Sequence, residues 1–314
     1  MVTVADVEAA RTRIAPYVRR TPMLAADPSE HLWFKAEFLQ TCGVFKTRGA
    51  FNWQLAARER GELDPAVGVV TASGGNAGLA HAYAAAQLGV PATVFVPSIA
   101  PQVKVDRLLA YGARVERVGD EFAEAFAASQ EFAERTGALM CHAYDQPDIA
   151  AGAGVIALEI IEDVPDVDTI VVAVGGGGLF AGVAVAAHDR GVRVVAVEPT
   201  RCPTLHAALA AGEPVDVSIG GVAADSLGAR RVGGQGFDAA VQTAAVSVLV
   251  EDDAIVAARD ALWGDFRIPS EHGAATAYAA LSAEAYRPAP DETVAVIVCG
   301  ANTDLSTLGR PGAR

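Results

Sequence analysis

The stretch TIVVAVGGGGLFAGVAVAAH, residues 169–188, contains a complete strand–loop–helix unit. Its first part, Thr169–Val174, is a short Val-rich run of the kind found in parallel strands that are buried on both faces. Four glycines follow, and Phe180–His188 then has the apolar, small-residue composition of a packed helix. The stretch therefore predicts a βα unit, from which parallel α/β sheets are built.

The same alternation extends in both directions along the chain. Further strands are predicted at Gly68–Thr71, Ala92–Val96, Arg114–Arg117, Leu139–His142, Val192–Glu198, Val246–Val250 and Thr293–Cys299. Further helices are predicted at the N-terminus and at Ala77–Leu88, Gln102–Tyr111, Glu121–Arg135, Ala150–Ile161, Asp252–Trp263 and Ala274–Ala285. The region Thr200–Asp238 is rich in Gly and Pro and predicts a long surface excursion that could lie near a site. The fold class is therefore α/β with right-handed crossovers.

Composition restricts the classes of function. Hydrophobic residues make up 52% and charged residues 20% of the 314 residues, which is typical of a globular chain with a large core. The net charge of −14 argues against a nucleic-acid partner, because phosphate binding requires basic surface. No apolar run has the length of a membrane span, and no signal peptide is apparent, so the protein is expected in the cytoplasm.

The glycine run Gly175–Gly178 is the first candidate site. Ordering four glycines costs backbone entropy, and a phosphate held by successive N–H groups at a helix start would compensate for it. The spacing of Gly176, Gly178 and Ala181, with Glu198 about twenty residues on, also matches the dinucleotide fingerprint. A nicotinamide-dependent dehydrogenase is therefore a competing interpretation.

A second polar turn, Ser73-Gly74-Gly75-Asn76-Ala77, lies where a predicted strand ends and a helix begins. Small residues at this position let backbone N–H groups approach an anion, such as a substrate carboxylate. A tight turn with a polar helix cap would explain Ser73 and Gly74, but it leaves Asn76 without a role.

Lys46 is one of only three lysines, with Lys35 and Lys104. It follows Phe45 at a predicted loop-to-helix junction, where partial burial and the helix N-terminus would both lower its pKa. Such a lysine is suited to amine chemistry, although most lysines are simply exposed.

Cys299 ends the last predicted strand and could present its thiol to a ring nitrogen, or be a small buried apolar residue. Cys42, Cys141, Cys202 and Cys299 have no paired spacing and are predicted to be free thiols of a reducing compartment.

Six histidines lack metal-ligand spacing and are assigned structural or surface roles, so no metal site is predicted: His31, His81, His142, His188, His206 and His272.

Together the segments FKTRGA (45–50), SGGNAG (73–78), the tetraglycine loop and CGAN (299–302) resemble the serine/threonine dehydratase family of fold-type II pyridoxal phosphate enzymes, within the tryptophan synthase β-subunit superfamily. The resemblance runs from about Lys35 to Asn302 and is similar in detail to the liver-type serine dehydratase branch. It implies two open, mostly parallel sheets, with the cofactor in an interdomain cleft. The implied larger domain is 1–40 plus 144–314, and the implied smaller domain, 41–143, is inserted in it.

The resemblance also implies a role for each matching residue. Lys46 is the catalytic residue and forms the Schiff base with pyridoxal 5′-phosphate. The implied cofactor-binding residues are Phe45, Lys46, Asn76, Gly175, Gly176, Gly177, Gly178, Leu179 and Cys299. The implied substrate-binding residues are Ser73, Gly74, Gly75, Asn76 and Ala77. Phe45 would pack on the cofactor ring, Asn76 would meet its 3′-oxygen, and Cys299 would face its nitrogen.

Several positions depart from the family pattern. Val44 replaces the usual Ser before Phe-Lys, which keeps open a non-catalytic, pyridoxal phosphate-binding protein. Gly74 replaces the Ser that serves racemases as a second base, so efficient racemisation is not expected. Ala77 replaces the His that is common in threonine dehydratases. Glu198 matches a metal ligand of racemase-like members, but Thr204 stands where those members have a second, acidic ligand.

The resulting prediction is a lyase that eliminates water and ammonia from L-serine or L-threonine. Elimination from another β-substituted amino acid such as 3-hydroxyaspartate, or β-replacement, remains an alternative. A small amino acid is the expected partner, and the resemblance implies a homodimer that binds neither nucleic acid nor membrane.

Overall fold

Two sheets organise the chain in a computed structural model that describes residues 1–27 and 31–309. Residues 28–30 and 310–314, which the predicted larger domain includes, lie outside the described part. In the described part the sheets have six and four strands. The fold class that the sequence predicts, α/β with two mostly parallel sheets flanked by helices, is confirmed.

The six-stranded sheet draws its strands from both ends of the chain. In spatial order they are β1 (Met23–Asp27), β2 (Leu32–Lys35), β10 (Val294–Ile297), β7 (Thr169–Ala173), β8 (Arg193–Pro199) and β9 (Val246–Val250). All neighbours pair in parallel except β1, which runs antiparallel to β2 at the edge. The two central strands β7 and β10 are buried throughout, as their unbroken apolar runs predict.

The four-stranded sheet comes from the middle of the chain and is parallel throughout. Its spatial order is β5 (Arg114–Arg117), β4 (Ala92–Val96), β3 (Val69–Ala72) and β6 (Leu139–Met140). All four strands fall inside the predicted smaller domain, 41–143, while the division into domains itself stays a prediction.

Helices flank both sheets. Those with described bounds are α1 (Val4–Ile14), α2 (Lys46–Glu59), α3 (Asn76–Leu88), α4 (Gln102–Ala110), α5 (Phe122–Thr136), α6 (Pro147–Asp163), α7 (Gly178–Asp189), α8 (Thr204–Ala211), α9 (Ala224–Leu227), α10 (Gly234–Thr243), α11 (Asp252–Phe266) and α12 (His272–Ser282). Within the stretches that the structure covers, no helix is long and apolar enough to cross a membrane.

Small residues let α6 and α7 pack almost backbone to backbone. A Cβ added at Gly182 would lie 1.9 Å from the carbonyl oxygen of Ala150, and one added at Gly154 would lie 2.7 Å from that of Gly182. Such a close approach requires glycine, and it fixes the helix that begins directly after the tetraglycine loop. The small residues of the stretch 169–188 thus determine the position of the tetraglycine loop.

The predicted elements differ from the observed ones in two places. Strands β1 and β2 were not predicted, because they are short, and β1 lies at an edge where little apolar surface is needed. The region Thr200–Asp238 is a surface excursion only in part: it contains α8, α9 and the start of α10, and Cys202, Leu205 and Val232 are buried. Gly and Pro here mark the ends of short helices.

Candidate active site

A cavity lies where the C-terminal ends of strands from both sheets converge. Of the predicted site residues, it is lined by Phe45, Lys46, Asn76, Ala77, Gly175, Gly176, Gly177, Gly178, Leu179 and Cys299. Ser73, Gly74 and Gly75 precede Asn76 but do not line it themselves. The predicted residues come from four separate segments of the chain, and the fold brings them to one place.

Lys46 is the first residue of α2 and is half-buried. The N–H of Phe45 donates to the Cys299 carbonyl at 3.0 Å, which ties the start of this helix to the end of β10. The Lys46 Nζ donates to the Ala143 carbonyl at 3.3 Å and lies 4.8 Å from the centre of the Phe45 ring. Burial lowers the pKa of Lys46, and nearby Cys299 and Glu271 oppose that shift. A lowered pKa makes the neutral, nucleophilic amine more accessible.

The tetraglycine loop offers unpaired hydrogen-bond donors to the cavity. No group in the described part of the chain accepts a hydrogen bond from the N–H groups of Gly175 to Leu179. Gly177 has φ +92°, a conformation that favours glycine, and precedes α7 directly. Free N–H groups at the start of a twelve-residue helix form a site suited to a phosphate or another anion.

The Tyr144 ring covers one side of this loop. A Cβ added at Gly176 would lie 2.3 Å from the ring, and one added at Gly178 would lie 2.5 Å from the Tyr144 carbonyl oxygen. Packing thus requires glycine at positions 176 and 178, whereas Gly177 is favoured by its φ. Tyr144 lines the cavity and was not identified from the sequence, since a lone Tyr after a short strand gives no signal.

Asn76 occupies the first position of α3 and faces an acidic group. Its Nδ2 donates to the two carboxylate oxygens of Glu271 at 2.9 and 3.1 Å. Its Oδ1 accepts from Asn302 Nδ2 at 2.7 Å. In the turn before it, the N–H of Gly75 donates to Ser73 Oγ at 3.3 Å. The turn therefore presents Asn76 to the cavity, and Ser73 supports the turn.

Glu271 is the main residue that sequence reasoning missed. It is buried at the start of α12, and its N–H donates to the Gly300 carbonyl at 3.1 Å. Burial raises the pKa of Glu271 to about 7, and the hydrogen bond from Asn76 opposes that shift. An acidic residue directly before an Ala-rich helix is an ordinary helix start. The sequence therefore gives no signal that Glu271 is buried.

Cys299 lies at the end of β10 and is buried at the cavity wall. Burial raises the pKa of the Cys299 thiol, and Glu271 raises it further. The thiol is therefore neutral at ordinary pH. It can neither carry a charge itself nor protonate a neighbouring nitrogen as a carboxylic acid would.

His81 also faces the cavity, although the sequence suggested only a structural or surface role. It lies one helical turn after Ala77, is buried, and burial lowers its pKa to about 4. Its Nδ1 lies 3.5 Å from Gln54 Nε2. His81 is thus a neutral polar group in the cavity wall.

Glu198, the acid of the dinucleotide fingerprint, is engaged elsewhere. Its carboxylate accepts from the Thr204 hydroxyl at 2.9 Å and from the N–H groups of Leu205 and His206 at 2.8 and 2.7 Å. A ribose would have to displace these partners. Across the residues that the structure describes, no group of three or more His, Cys, Asp and Glu could hold a metal ion.

Comparisons with known proteins agree on one family. Residues 14–300 match the family described as "Pyridoxal-phosphate dependent enzyme". An L-threonine ammonia-lyase of Geobacter sulfurreducens is 37% identical over 96% of this chain and 76% of its own length. A serine racemase of Oryza sativa subsp. indica is 33% identical over 96% of this chain and 91% of its own length.

The fold agrees with these sequence matches. The structure of maize serine racemase superposes with a TM-score of 0.90 at 33% identity, covering 98% of this chain and 95% of the maize chain. Similarity therefore extends over both sheets and the cavity.

Proposed function

Because the chain belongs to the family of pyridoxal-phosphate dependent enzymes, and pyridoxal phosphate is therefore its cofactor, we propose that it eliminates water and ammonia from L-serine or L-threonine. The unsaturated amino acid that is left by the loss of water takes up one water as it releases ammonia, so the net products are a 2-oxo acid and ammonia. The observation that carries this proposal is the position of Lys46: its amine lies in a cavity that also holds free N–H groups for a phosphate and a neutral thiol. The threonine ammonia-lyases among its relatives support the reaction type.

The residues of the cavity fit the cofactor. Lys46 is an amine of lowered pKa that suits an aldehyde, and the N–H groups of Gly175 to Leu179 suit the phosphate. Phe45 would pack on the ring, Asn76 would meet the 3′-oxygen, and Cys299 would face the ring nitrogen. When bound, pyridoxal phosphate supplies an electron sink that eases removal of the substrate's Cα proton.

Lys46 is the group that we assign to proton transfer. Its Nζ is tethered by the Ala143 carbonyl and lies against the Phe45 ring, so the amine has a restricted position. Burial favours the neutral amine, which can accept a proton. Because the amine is held in the same cavity as the substrate, the transfer of the Cα proton takes place within one site.

The neutral thiol of Cys299 selects elimination. A thiol of raised pKa would not give a proton to the ring nitrogen of a bound cofactor, whereas a carboxylic acid at this position would. Expulsion of a β-hydroxyl is then favoured over reactions that need a long-lived carbanion.

The turn Ser73–Ala77 is assigned to the substrate carboxylate. Gly74 has no side chain that could act as a base on the face opposite Lys46, and a Cβ there would lie 3.3 Å from Val96. Racemisation, the activity named for several relatives, therefore lacks a second base at this position.

The test is to supply the purified yellow protein with L-serine and L-threonine and to measure 2-oxo acid, ammonia and D-serine. We expect oxo acid and ammonia, with little D-serine. Lys46→Ala should lose at least a thousandfold in kcat, as expected when a covalent catalytic group is removed, and should not be labelled by borohydride. The exposed Lys104→Ala is the matched control and should behave as the unchanged protein. Covalent trapping in Lys46→Ala would overturn the assignment.

Two coarser expectations accompany this proposal. The two sheets support a division into a domain of 1–40 plus 144–314 and an inserted domain of 41–143. We also propose a cytoplasmic homodimer: the four cysteines are free, which suits a reducing compartment, and light scattering tests the dimer.

A further inference from the structure

A line of side-chain hydrogen bonds runs from the protein surface to the cavity. Arg107, exposed on α4, donates from Nη2 to Asn302 Oδ1 at 2.5 Å. Asn302 donates from Nδ2 to Asn76 Oδ1 at 2.7 Å, and Asn76 donates from Nδ2 to Glu271 Oε1 at 2.9 Å. Each member donates to the next, so the line has one direction.

The line also crosses between the two sheets. Arg107 and Asn76 lie on α4 and α3, which belong to the stretch that forms the four-stranded sheet. Asn302 follows β10 of the six-stranded sheet, and Glu271 begins the nearby α12. A substitution of any of these four residues therefore changes contacts between the part of the cavity formed by the four-stranded sheet and the part formed by the six-stranded sheet.

Two partners fix the orientation of the Asn302 amide. Its Nδ2 also donates to the Cys42 carbonyl at 2.9 Å, and a carbonyl can only accept. On its other side stands a guanidinium, which can only donate, so the Asn302 oxygen must face Arg107. A flipped amide would place donor against donor and acceptor against acceptor.

The orientation of Asn302 then determines that of Asn76. Because Asn302 presents an N–H, Asn76 must present its oxygen to it. The Asn76 NH₂ group is thereby directed to both carboxylate oxygens of Glu271 and to the cavity that these two residues line.

We propose that Arg107 is a positioning residue: through Asn302 it holds the Asn76 amide with its NH₂ group toward the cofactor. This inference rests on the proposed function, in which Asn76 contacts pyridoxal phosphate. Without Arg107 the Asn302 oxygen loses its charged donor, and both amides become free to turn. The cofactor then loses a directed hydrogen bond although no residue of its own site has changed.

The experiment measures the dissociation constant of pyridoxal phosphate from the apoprotein by absorbance titration. Arg107→Ala should raise it about threefold to tenfold, as expected for the loss of one hydrogen bond. Arg107→Lys keeps a donor and should recover most of the affinity. Arg114→Ala removes another exposed arginine near the same sheet, one that pairs with Glu116, and should leave the affinity unchanged.

A double-mutant cycle separates the hydrogen-bond line from a general effect of charge. If Arg107 acts through Asn302, then Arg107→Ala in an Asn302→Ala background has no further effect. Additive effects of the two substitutions, or an Arg107→Ala affinity equal to that of Arg114→Ala, would overturn the inference. Failure of the unsubstituted protein to bind pyridoxal phosphate would instead overturn the proposed function, and the inference with it.

Discussion

At the residue scale, the cavity combines groups whose environments shift their protonation in useful directions. Burial favours the neutral amine of Lys46, the neutral thiol of Cys299 and the neutral ring of His81. Burial also raises the pKa of Glu271 into the physiological range. Perturbed groups that cluster in one cavity are typical of an active site. With a pKa of about 7, Glu271 is poised to change charge near neutral pH.

Glu271 should make stability depend on pH. Its pKa rises from an ordinary value of 4.5 to about 7 on folding, so the folded state holds a proton that the unfolded state has released. Stability is therefore lost as pH rises through this range, by about 2 to 3 kcal/mol between about pH 5 and about pH 8. Glu271→Gln should remove that share of the loss, as measured by urea unfolding at both pH values.

Two comparisons make the Glu271 measurement decisive. Burial also raises the pKa of Glu198 to about 7. In Glu271→Gln the free energy of unfolding should therefore still fall as pH rises, but less steeply than in the unsubstituted protein. Glu134→Gln changes an exposed carboxylate and should leave the slope as it was. An equal pH slope in Glu271→Gln and in the unsubstituted protein would show that Glu271 does not titrate in this range.

At the element scale, helix α2 is anchored by a buried network of four charged groups. Arg48 donates to Glu37 at 2.9 and 2.8 Å and to Glu159 at 2.8 Å, and Lys35 donates to Glu159 at 2.7 Å. All four side chains are almost fully excluded from solvent. The network ties α2, whose first residue is Lys46, to β2 and α6.

Arg48→Ala should destabilise the fold by about 3 to 5 kcal/mol, because it leaves two carboxylates buried with only Lys35 to compensate them. Denaturant unfolding measures this loss. Arg58→Ala, at an exposed position of the same helix, should stay within about 0.5 kcal/mol of the unsubstituted protein. Equal effects of the two substitutions would mean that the network does not stabilise α2.

The tetraglycine loop makes a second prediction at this scale. Gly176→Ala places a methyl group 2.3 Å from the Tyr144 ring, so the loop must move and should bind pyridoxal phosphate more weakly. Adding Tyr144→Ala removes the clash and should restore part of the affinity. Gly264→Ala, inside α11 with open space around it, is the control and should be neutral or slightly stabilising. Weak binding that Tyr144→Ala does not relieve would refute steric conflict as the cause.

Local patterns predicted the elements well where apolar periodicity is strong. The bounds of β4, β5 and β9 agree with the sequence prediction, and the glycine loops fall where strands end. Patterns failed where long-range contacts decide. Glu271 and Asn76 are 195 positions apart, and neither sequence environment indicates the other. Likewise, Thr200–Asp238 packs into the core through Leu205 and Val232, although its Gly and Pro content resembles that of a loop.

At the scale of the whole molecule, the site exists only when both sheets are in place. Asn76 and Tyr144 come from the stretch that forms the four-stranded sheet and its end, and the tetraglycine loop and Cys299 follow strands of the six-stranded sheet. A ligand that contacts both sides should hold the two halves together. Its binding energy then adds to folding stability, because the unfolded chain has no such cavity.

Removal of pyridoxal phosphate should accordingly lower the unfolding temperature. At a cofactor concentration about 100 times the dissociation constant, linkage adds about 2.7 kcal/mol, which corresponds to roughly 4 °C for a chain of 314 residues. Scanning calorimetry of the apoprotein with and without cofactor measures the difference. Pyridoxal without its phosphate should stabilise less, because it leaves the N–H groups of Gly175 to Leu179 without an acceptor. Equal stabilisation by both compounds would show that the tetraglycine loop does not bind the phosphate, and the phosphate site would have to be sought elsewhere in the cavity.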